Sequence, residues 1–283
     1  MSAAMSRPFL KMNGLGNDFV VVEARSAPFA PTAAQVRAIA DRTSGIGCDQ
    51  LIAIEPADPA QDGDADARAR FWNADGEEIF ACGNGARCVG WLLMQASGQD
   101  AAVIRTGAGR LVATRADERL VSVDMGRPGL DWTQIPLARE QDTRALDVVL
   151  YEHPALATAP ACVSMGNPHV VFFTPDIDAA PVAVAGPLVE RHPLFPQGVN
   201  VAFAQVINRG RIRLRVWERG AGLTKACGTG ACAALVAAHR RGLTDRSAIL
   251  ALDGGDLLIE WRAADDHVVM TGPAAVDFAG ELP

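Results

Sequence analysis

Cys82-Gly-Asn-Gly-Ala86 and Cys227-Gly-Thr-Gly-Ala231 repeat one pattern at an offset of 227 − 82 = 145 residues, and whether that is chance decides the fold. Working outward, Gly16-Asn17 followed by Phe19-Val20-Val21 matches Gly166-Asn167 followed by His169-Val170-Val171, at 167 − 17 = 150. The registers agree between these anchors. Gln50 follows Asn17, and Asn200 follows Asn167, by the same interval (50 − 17 = 200 − 167 = 33), while Asn73 and Glu218 each stand nine residues before their cysteine. Further on, Gly109-Arg-Leu111 matches Gly255-Asp-Leu257 and Gly126 matches Gly272. Several concordant anchors in one order mean an internal duplication. The offset changes inside Glu55 to Asp66, where Pro, Gly and Asp mark a loop that is longer in the first half.

The expected organisation is therefore two homologous, pseudo-symmetric halves, 1–127 and 128–272, with the tail 273–283 returning to the first half and an active site in the cleft between them. Phe19 to Val22 and Val170 to Phe173 are β-branched and aromatic runs, hence strands. Arg211 to Trp217 alternates strictly, so one face is buried and Arg211, Arg213 and Arg215 form a solvated face. Thr32-Ala-Ala-Gln35 is a capping box opening a helix that buries Val36, Ile39 and Ala40. After each Cys-Gly-x-Gly comes a run of helix formers, Ala86 to Ala96 closed by Gly98 and Ala231 to Arg241 closed by Gly242. Both runs carry few charges, so each is expected to be a central helix wrapped by its own half's strands. The fold class is α/β in the α+β sense, each half a curled, mostly antiparallel sheet.

With 283 residues, 49% hydrophobic and 21% charged, the chain has the balance of a soluble globular protein. A net charge of −7 repels phosphate backbones and anionic lipid, so neither nucleic acid nor membrane is an expected partner. Met1 to Pro8 carry no export signal and no apolar run is long enough to span a bilayer, which points to the cytoplasm and to free thiols among the six cysteines. The cysteine spacings miss common zinc patterns and no metal is expected. Cys48, Cys88, Cys162 and Cys232 are read as small buried hydrophobes.

Cys82 and Cys227 are different because each stands at a helix start. Unpaired N–H groups and the positive dipole end favour a thiolate there, and the same groups bind anions. The glycines of both motifs, at 83, 85, 228 and 230, leave room for a carboxylate to approach the backbone. Inverting an α-carbon needs a proton removed from one face and another delivered to the opposite face, which two thiols can do in either direction. Taken singly, Asn17 and Asn167 also read as turn caps, and Glu218-Arg219 as an exposed ion pair.

Lys11-Met-Asn-Gly-Leu-Gly-Asn-Asp-Phe19, Gly47-Cys-Asp-Gln-Leu51, Asn73-Ala-Asp-Gly76, Cys82 to Cys88, Met165-Gly-Asn-Pro-His169, Gly198-Val-Asn200, Glu218-Arg-Gly220 and Ala226 to Cys232 together resemble the diaminopimelate epimerase family. The resemblance runs in order from Phe9 to about Gly272. It implies interconversion of LL- and meso-2,6-diaminopimelate in lysine and peptidoglycan precursor synthesis, with diaminopimelate as the small-molecule partner and no cofactor. It makes Cys82 and Cys227 the acid/base pair, and has Gly83, Asn84, Gly228 and Thr229 hold the reacting carboxylate. Asn17, Gln50, Asn73, Asn167, Asn200, Glu218 and Arg219 match the other substrate-binding positions, and His169 is an auxiliary candidate near the thiols. Related enzymes are often dimers, and no sequence feature here marks a homodimer interface. Leu223, Lys225 and Cys48 depart from the commonest family pattern. Proline racemase and the phenazine-pathway isomerase share the architecture but fit the cysteine motifs less well, and a metal module or a silent amino-acid binder are the rivals from other classes.

Overall fold

The computed structural model describes residues 7–80, 82–156 and 159–282. The reading of the first residues as lacking an export signal falls almost wholly on Met1 to Ser6, outside the described residues. Two compact units emerge, one running to Val123 and resuming at Gly272, the other Asp124–Thr271.

The first unit begins with the hairpin β1 (Arg7–Gly14) and β2 (Asn17–Glu23), closed by Leu15 and Gly16, both at positive φ. That geometry matches the twist of the strands, and Leu15 adopts it with its side chain buried. Helix α1 (Ala33–Ala40) follows, with the Thr32–Gln35 capping box formed and Val36, Ile39 and Ala40 buried as the pattern demands. Then come β3 (Gln50–Glu55), the single turn α2 (Pro59–Asp62), β4 (Ala67–Asn73), the short β5 (Glu78–Ile79), α3 (Gly83–Ser97), β6 (Ala101–Thr106), β7 (Gly109–Arg115) and β8 (Leu120–Asp124). The Glu55–Asp66 excursion is thus a loop with one helical turn, capped by the Asp58 side chain on Ala60 N–H.

The second unit repeats this order. It holds β9 (Ala161–Ser164), β10 (Pro168–Phe173), α4 (Val182–Glu190), β11 (Asn200–Asn208), β12 (Arg211–Glu218), β13 (Gly222–Thr224), α5 (Gly228–Arg240), β14 (Ser247–Leu252), β15 (Gly255–Trp261) and β16 (Val268–Pro273). The last strand, β17 (Ala275–Leu282), pairs antiparallel with β1 in the first unit.

Strand pairing makes the duplication visible. β1–β2 is antiparallel, β2–β3 parallel, β3–β4 and β4–β5 antiparallel, β4–β6 parallel and β6–β7 antiparallel. The same signs recur in β9–β10, β10–β11, β11–β12, β12–β13, β12–β14 and β14–β15. Each unit is a mixed, mostly antiparallel sheet, the α+β class the sequence predicts. Helix α5 lies against β9, β10, β11, β12, β14 and β15, and every residue from Gly230 to Ala238 is buried. An apolar helix enclosed by its own strands is the arrangement its near-absence of charge requires; burying Leu235 and Val236 alone contributes about 1.5–3 kcal/mol each. Helix α3 packs on β1, β6 and β7 and ends at Gly98 in the left-handed conformation. Outside the sheets, α1 covers a core of Val20, Val22, Leu51 and Trp72, and α4 covers one of Val170, Phe172, Val201 and Phe203.

Candidate functional site

In the first unit, three strand ends converge. Asn17 opens β2, Gln50 opens the parallel β3 and Asn73 closes the antiparallel β4; Phe19 faces Gln50 and Gln50 faces Asn73 in register. Gln50 Nε2 donates to Asn73 Oδ1 at 3.0 Å, leaving Gln50 Oε1 buried without a partner among the described residues. A buried amide oxygen of this kind costs free energy unless something donates to it. Asn17 Nδ2 donates to Asp49 Oδ2 at 2.7 Å, and Asn17 Oδ1 lies 4.0 Å from Cys82 Sγ.

Cys82 is the N-cap of α3, in extended conformation, and the Gly85 N–H donates to its sulfur at 3.4 Å. The first helical hydrogen bond runs from Ala86 N–H to the Cys82 carbonyl, so Gly83 and Asn84 N–H have no acceptor inside the helix. The buried Asn84 turns its Oδ1 to the Nη1 of the fully buried Arg87, 3.0 Å away.

The second unit repeats the plan with different chemistry. Asn167 immediately precedes β10, Asn200 opens the parallel β11, and Glu218 closes the antiparallel β12. Asn200 is buried, its Nδ2 donating to the Pro168 carbonyl at 3.1 Å and its Oδ1 accepting from Arg219 N–H at 2.9 Å. Asn167 Oδ1 lies 3.1 Å from His169 Nε2, and its Nδ2 is 3.4 Å from Thr229 Oγ1. His169 is completely buried, and its Nδ1 has no partner among the described residues. Burial, aided by the Arg219 charge, lowers its imidazole to about 3, so the ring is neutral. Arg219 itself is exposed and donates to the Gln197 carbonyl at 2.7 Å.

Cys227 is the N-cap of α5. Its thiol donates to Glu218 Oε2 at 3.1 Å and stands 3.7 Å from Thr229 Oγ1, while Thr224 Oγ1 donates to Glu218 Oε1. Here the expectation of a thiol lowered by its helix start is overturned. Burial first, and then the Glu218 carboxylate, push the Cys227 thiol well up. Burial also raises Glu218, against the hydrogen bonds from Thr224 and Cys227. A nearby carboxylate and desolvation both oppose a thiolate, against the favourable dipole of the helix end.

A second correction concerns the motif glycines. A Cβ on Gly85 would stand 2.9 Å from Ile52 Cδ1 and 3.0 Å from Phe71 Cε1, and one on Gly230 would stand 3.1 Å from Val216 Cγ2 and 3.2 Å from Cys227 Sγ. These two glycines let each helix sit close on its sheet; ligand approach is not what they leave room for.

The structure thus assembles Asn17, Gln50, Asn73, Cys82, Gly83 and Asn84 in one unit and Asn167, His169, Asn200, Glu218, Arg219, Cys227, Gly228 and Thr229 in the other. Sequence reasoning missed Asp49 and Thr224. Asp49 lies in a quoted motif, but its bond to Asn17 follows only from the parallel register of β2 and β3; Thr224 sits between the departures Leu223 and Lys225, in the short strand paired to β12. Cys48, Cys88, Cys162 and Cys232 are buried, and burial raises Cys48 to about 11 and Cys88 to about 12. The one group of prospective metal ligands among the described residues is Asp124, Asp265 and His267, where Arg262 bonds both carboxylates as an ion-pair cluster.

Comparison with known proteins identifies the family. A diaminopimelate epimerase named from Phenylobacterium zucineum is 75% identical over the whole of both chains, and one from Caulobacter vibrioides is 59% identical over 99% of this chain and 98% of its own. Among solved structures, a phenazine biosynthesis protein of the PhzF family from Enterococcus faecalis superposes with a TM-score of 0.71 at 16% identity, covering 99% of this chain and 100% of that one. A hydroxyproline epimerase from Agrobacterium vitis superposes at 0.69 with 17% identity, covering 100% and 94%. At such identities these structures speak to the fold alone. The family model for diaminopimelate epimerase matches residues 9–130 and 161–276, and by that match and those relatives the chain belongs to the diaminopimelate epimerase family.

Proposed function

We propose that this protein is an isomerase that interconverts LL- and meso-2,6-diaminopimelate, without a cofactor, by passing protons through Cys82 and Cys227 on opposite faces of one α-carbon. In one direction a Cys82 thiolate takes the α-proton, and the electron pair left on carbon is stabilised by hydrogen bonds to the substrate carboxylate from the N–H groups of Gly83, Asn84, Gly228 and Thr229. The Cys227 thiol then gives its proton to the other face and becomes the thiolate; the reverse direction exchanges the roles. The observation that carries this reading is a cysteine N-cap in each unit with a polar strand-end side chain against its sulfur, Asn17 at Cys82 and Glu218 at Cys227. The raised Cys227 thiol supports its starting as the acid.

Asn17, Gln50 and Asn73 on one side and Asn167, Asn200, Glu218 and Arg219 on the other are assigned to the substrate's ammonium and carboxylate groups. Gln50 Oε1, buried and lacking a donor, suits an ammonium. The proposed activity is read as cytoplasmic, with a homodimer as the expected assembly, to be tested by sedimentation. No helix among the described residues is long and apolar enough to cross a membrane.

The test is incubation with LL-diaminopimelate in D2O. Wild type is expected to form the meso isomer with deuterium at the inverted carbon, and Cys82→Ala and Cys227→Ala each to lose epimerisation by at least about a thousandfold. Full activity in either variant overturns the two-thiol reading, and loss of all exchange in wild type overturns the function.

A further inference from the structure

Asn17 can present either end of its amide to the neighbouring thiol, and what holds it decides which. Its Nδ2 donates to Asp49 Oδ2 at 2.7 Å. A carboxylate has lone pairs and no hydrogen to give, so the NH2 must face Asp49 and the oxygen must face away, towards Cys82. Asp49 is itself pinned: Oδ2 also accepts from Asp18 N–H at 3.0 Å, and Oδ1 accepts from Arg42 Nη2 at 2.7 Å. Asp18 returns the contact, its Oδ1 accepting from Asp49 N–H at 3.1 Å and from Arg42 Nη2 at 2.7 Å. Its Oδ2 accepts from the buried Lys11 at 2.6 Å. Two carboxylates and two cations, bonded reciprocally across the starts of β2 and β3, hold Asp49 with its Oδ2 on the Asn17 amide.

The matched amide in the second unit has no such lock. The position equivalent to Asp49 is Val199, and Asn167 instead meets His169 Nε2 and Thr229 Oγ1. A neutral imidazole nitrogen and a hydroxyl can each donate or accept, so that amide can sit either way round.

We propose that Asp49 is a positioning residue that locks the Asn17 amide with its oxygen towards Cys82, so that the Asn17 side chain presents an acceptor, and not a donor, to that thiol. That acceptor can take the Cys82 S–H or an N–H of the substrate's α-ammonium. The inference rests on the reading of Cys82 as an acid/base group.

The test follows alkylation of Cys82 by iodoacetamide, resolved by peptide mass spectrometry, across neutral to alkaline pH in wild type, Asp49→Asn and Asp49→Glu. In Asp49→Asn the replacement amide accepts or donates, so Asn17 can turn its NH2 to the sulfur and favour the thiolate. The midpoint of alkylation is expected to fall by about half a pH unit. Asp49→Glu still cannot donate, and its midpoint is expected to stay with wild type. In turnover, Asp49→Asn is expected to lower kcat about tenfold while KM changes less than about threefold, with Asp49→Glu retaining more of kcat. In an Asn17→Ala background, Asp49→Asn should shift nothing further. An unmoved midpoint in Asp49→Asn, or a shift that persists without Asn17, overturns the proposal. Should Asp49→Asn not fold, Asp49→Ser carries the same alkylation test, since a hydroxyl can donate to the amide oxygen. A wild type without epimerase activity would sink the functional reading, while the alkylation profiles would still decide the lock.

Discussion

The two cysteine helix starts share a motif, a cap position and a set of strand ends, yet they hold their sulfurs differently. Cys82 is partly exposed, receives the Gly85 N–H and faces the Asn17 amide oxygen. Cys227 is buried and donates to Glu218, the residue that replaces Asn73 of the first unit. Thus a helix N-terminus does not by itself determine the state of a thiol. The dipole acts on both; at Cys227, burial and the residue nine positions upstream oppose it. A duplicated motif can then hold its two sulfurs in unlike surroundings, one partly exposed beside an amide oxygen and one buried against a carboxylate.

The largest expected effect comes from removing that difference. Glu218→Gln keeps the shape of the side chain and removes the charge that opposes a Cys227 thiolate. The Cys227 thiol should fall, and its alkylation at neutral pH should speed up relative to wild type. On the proposed two-thiol reading, losing the charge partner of Cys227 should reduce kcat about a hundredfold. A Cys227 alkylation profile unmoved by the substitution would mean that burial alone holds the Cys227 thiol up.

Thr224→Val makes a smaller change in the same place. The Thr224 hydroxyl donates to Glu218 and holds its carboxyl down against burial. Without that donor the Glu218 pKa rises, so the carboxylate is protonated at higher pH. The acid limb of the pH–rate profile is expected to move up, with kcat at neutral pH falling about tenfold or less. An acid limb that stays in place would separate Glu218 from the rate.

Much of this frame is legible in the sequence. The Thr32 capping box, the alternation of Arg211 to Trp217 and the two helix starts are local signals, written within one turn or one strand, and each appears where its pattern puts it. The helices begin at Gly83 and Gly228, a few residues before the runs of helix formers, because close packing on the sheet overrides the low propensity of glycine. Helix α4, with Pro187 inside it, and the three-residue β13 carry no periodic signal of their own. In the site, the recurrence of Asn17 with Asn167, Gln50 with Asn200 and Asn73 with Glu218 made strand-end positions visible as a set. What stayed hidden depends on register and burial. Asp49 reaches Asn17 only once β2 and β3 lie parallel, and the rise of the Cys227 thiol follows from enclosure by strands distant in sequence.

The smallest expected effect lies two residues beyond the paired asparagines, where the second unit has His169 and the first has Phe19, both fully buried. With its imidazole lowered to about 3 by burial and Arg219, His169 resists protonation in the folded protein, whereas in the unfolded chain it titrates near the ordinary value of 6.5. Between those values the unfolded state binds the extra proton, so stability is complete above pH 6.5 and is lost as pH falls below it. From pH 7 to pH 6 this one group should remove about 0.7 kcal/mol. Urea denaturation of wild type and of His169→Phe, which imports the first unit's residue, measures the term. The variant will differ in absolute stability because phenylalanine is larger, but its pH slope is the quantity of interest, and it should be shallower by that amount. Equal slopes would mean that the imidazole is no more sheltered from protons in the fold than in the open chain, and the contrast between the two asparagine environments would then rest on hydrogen bonding alone.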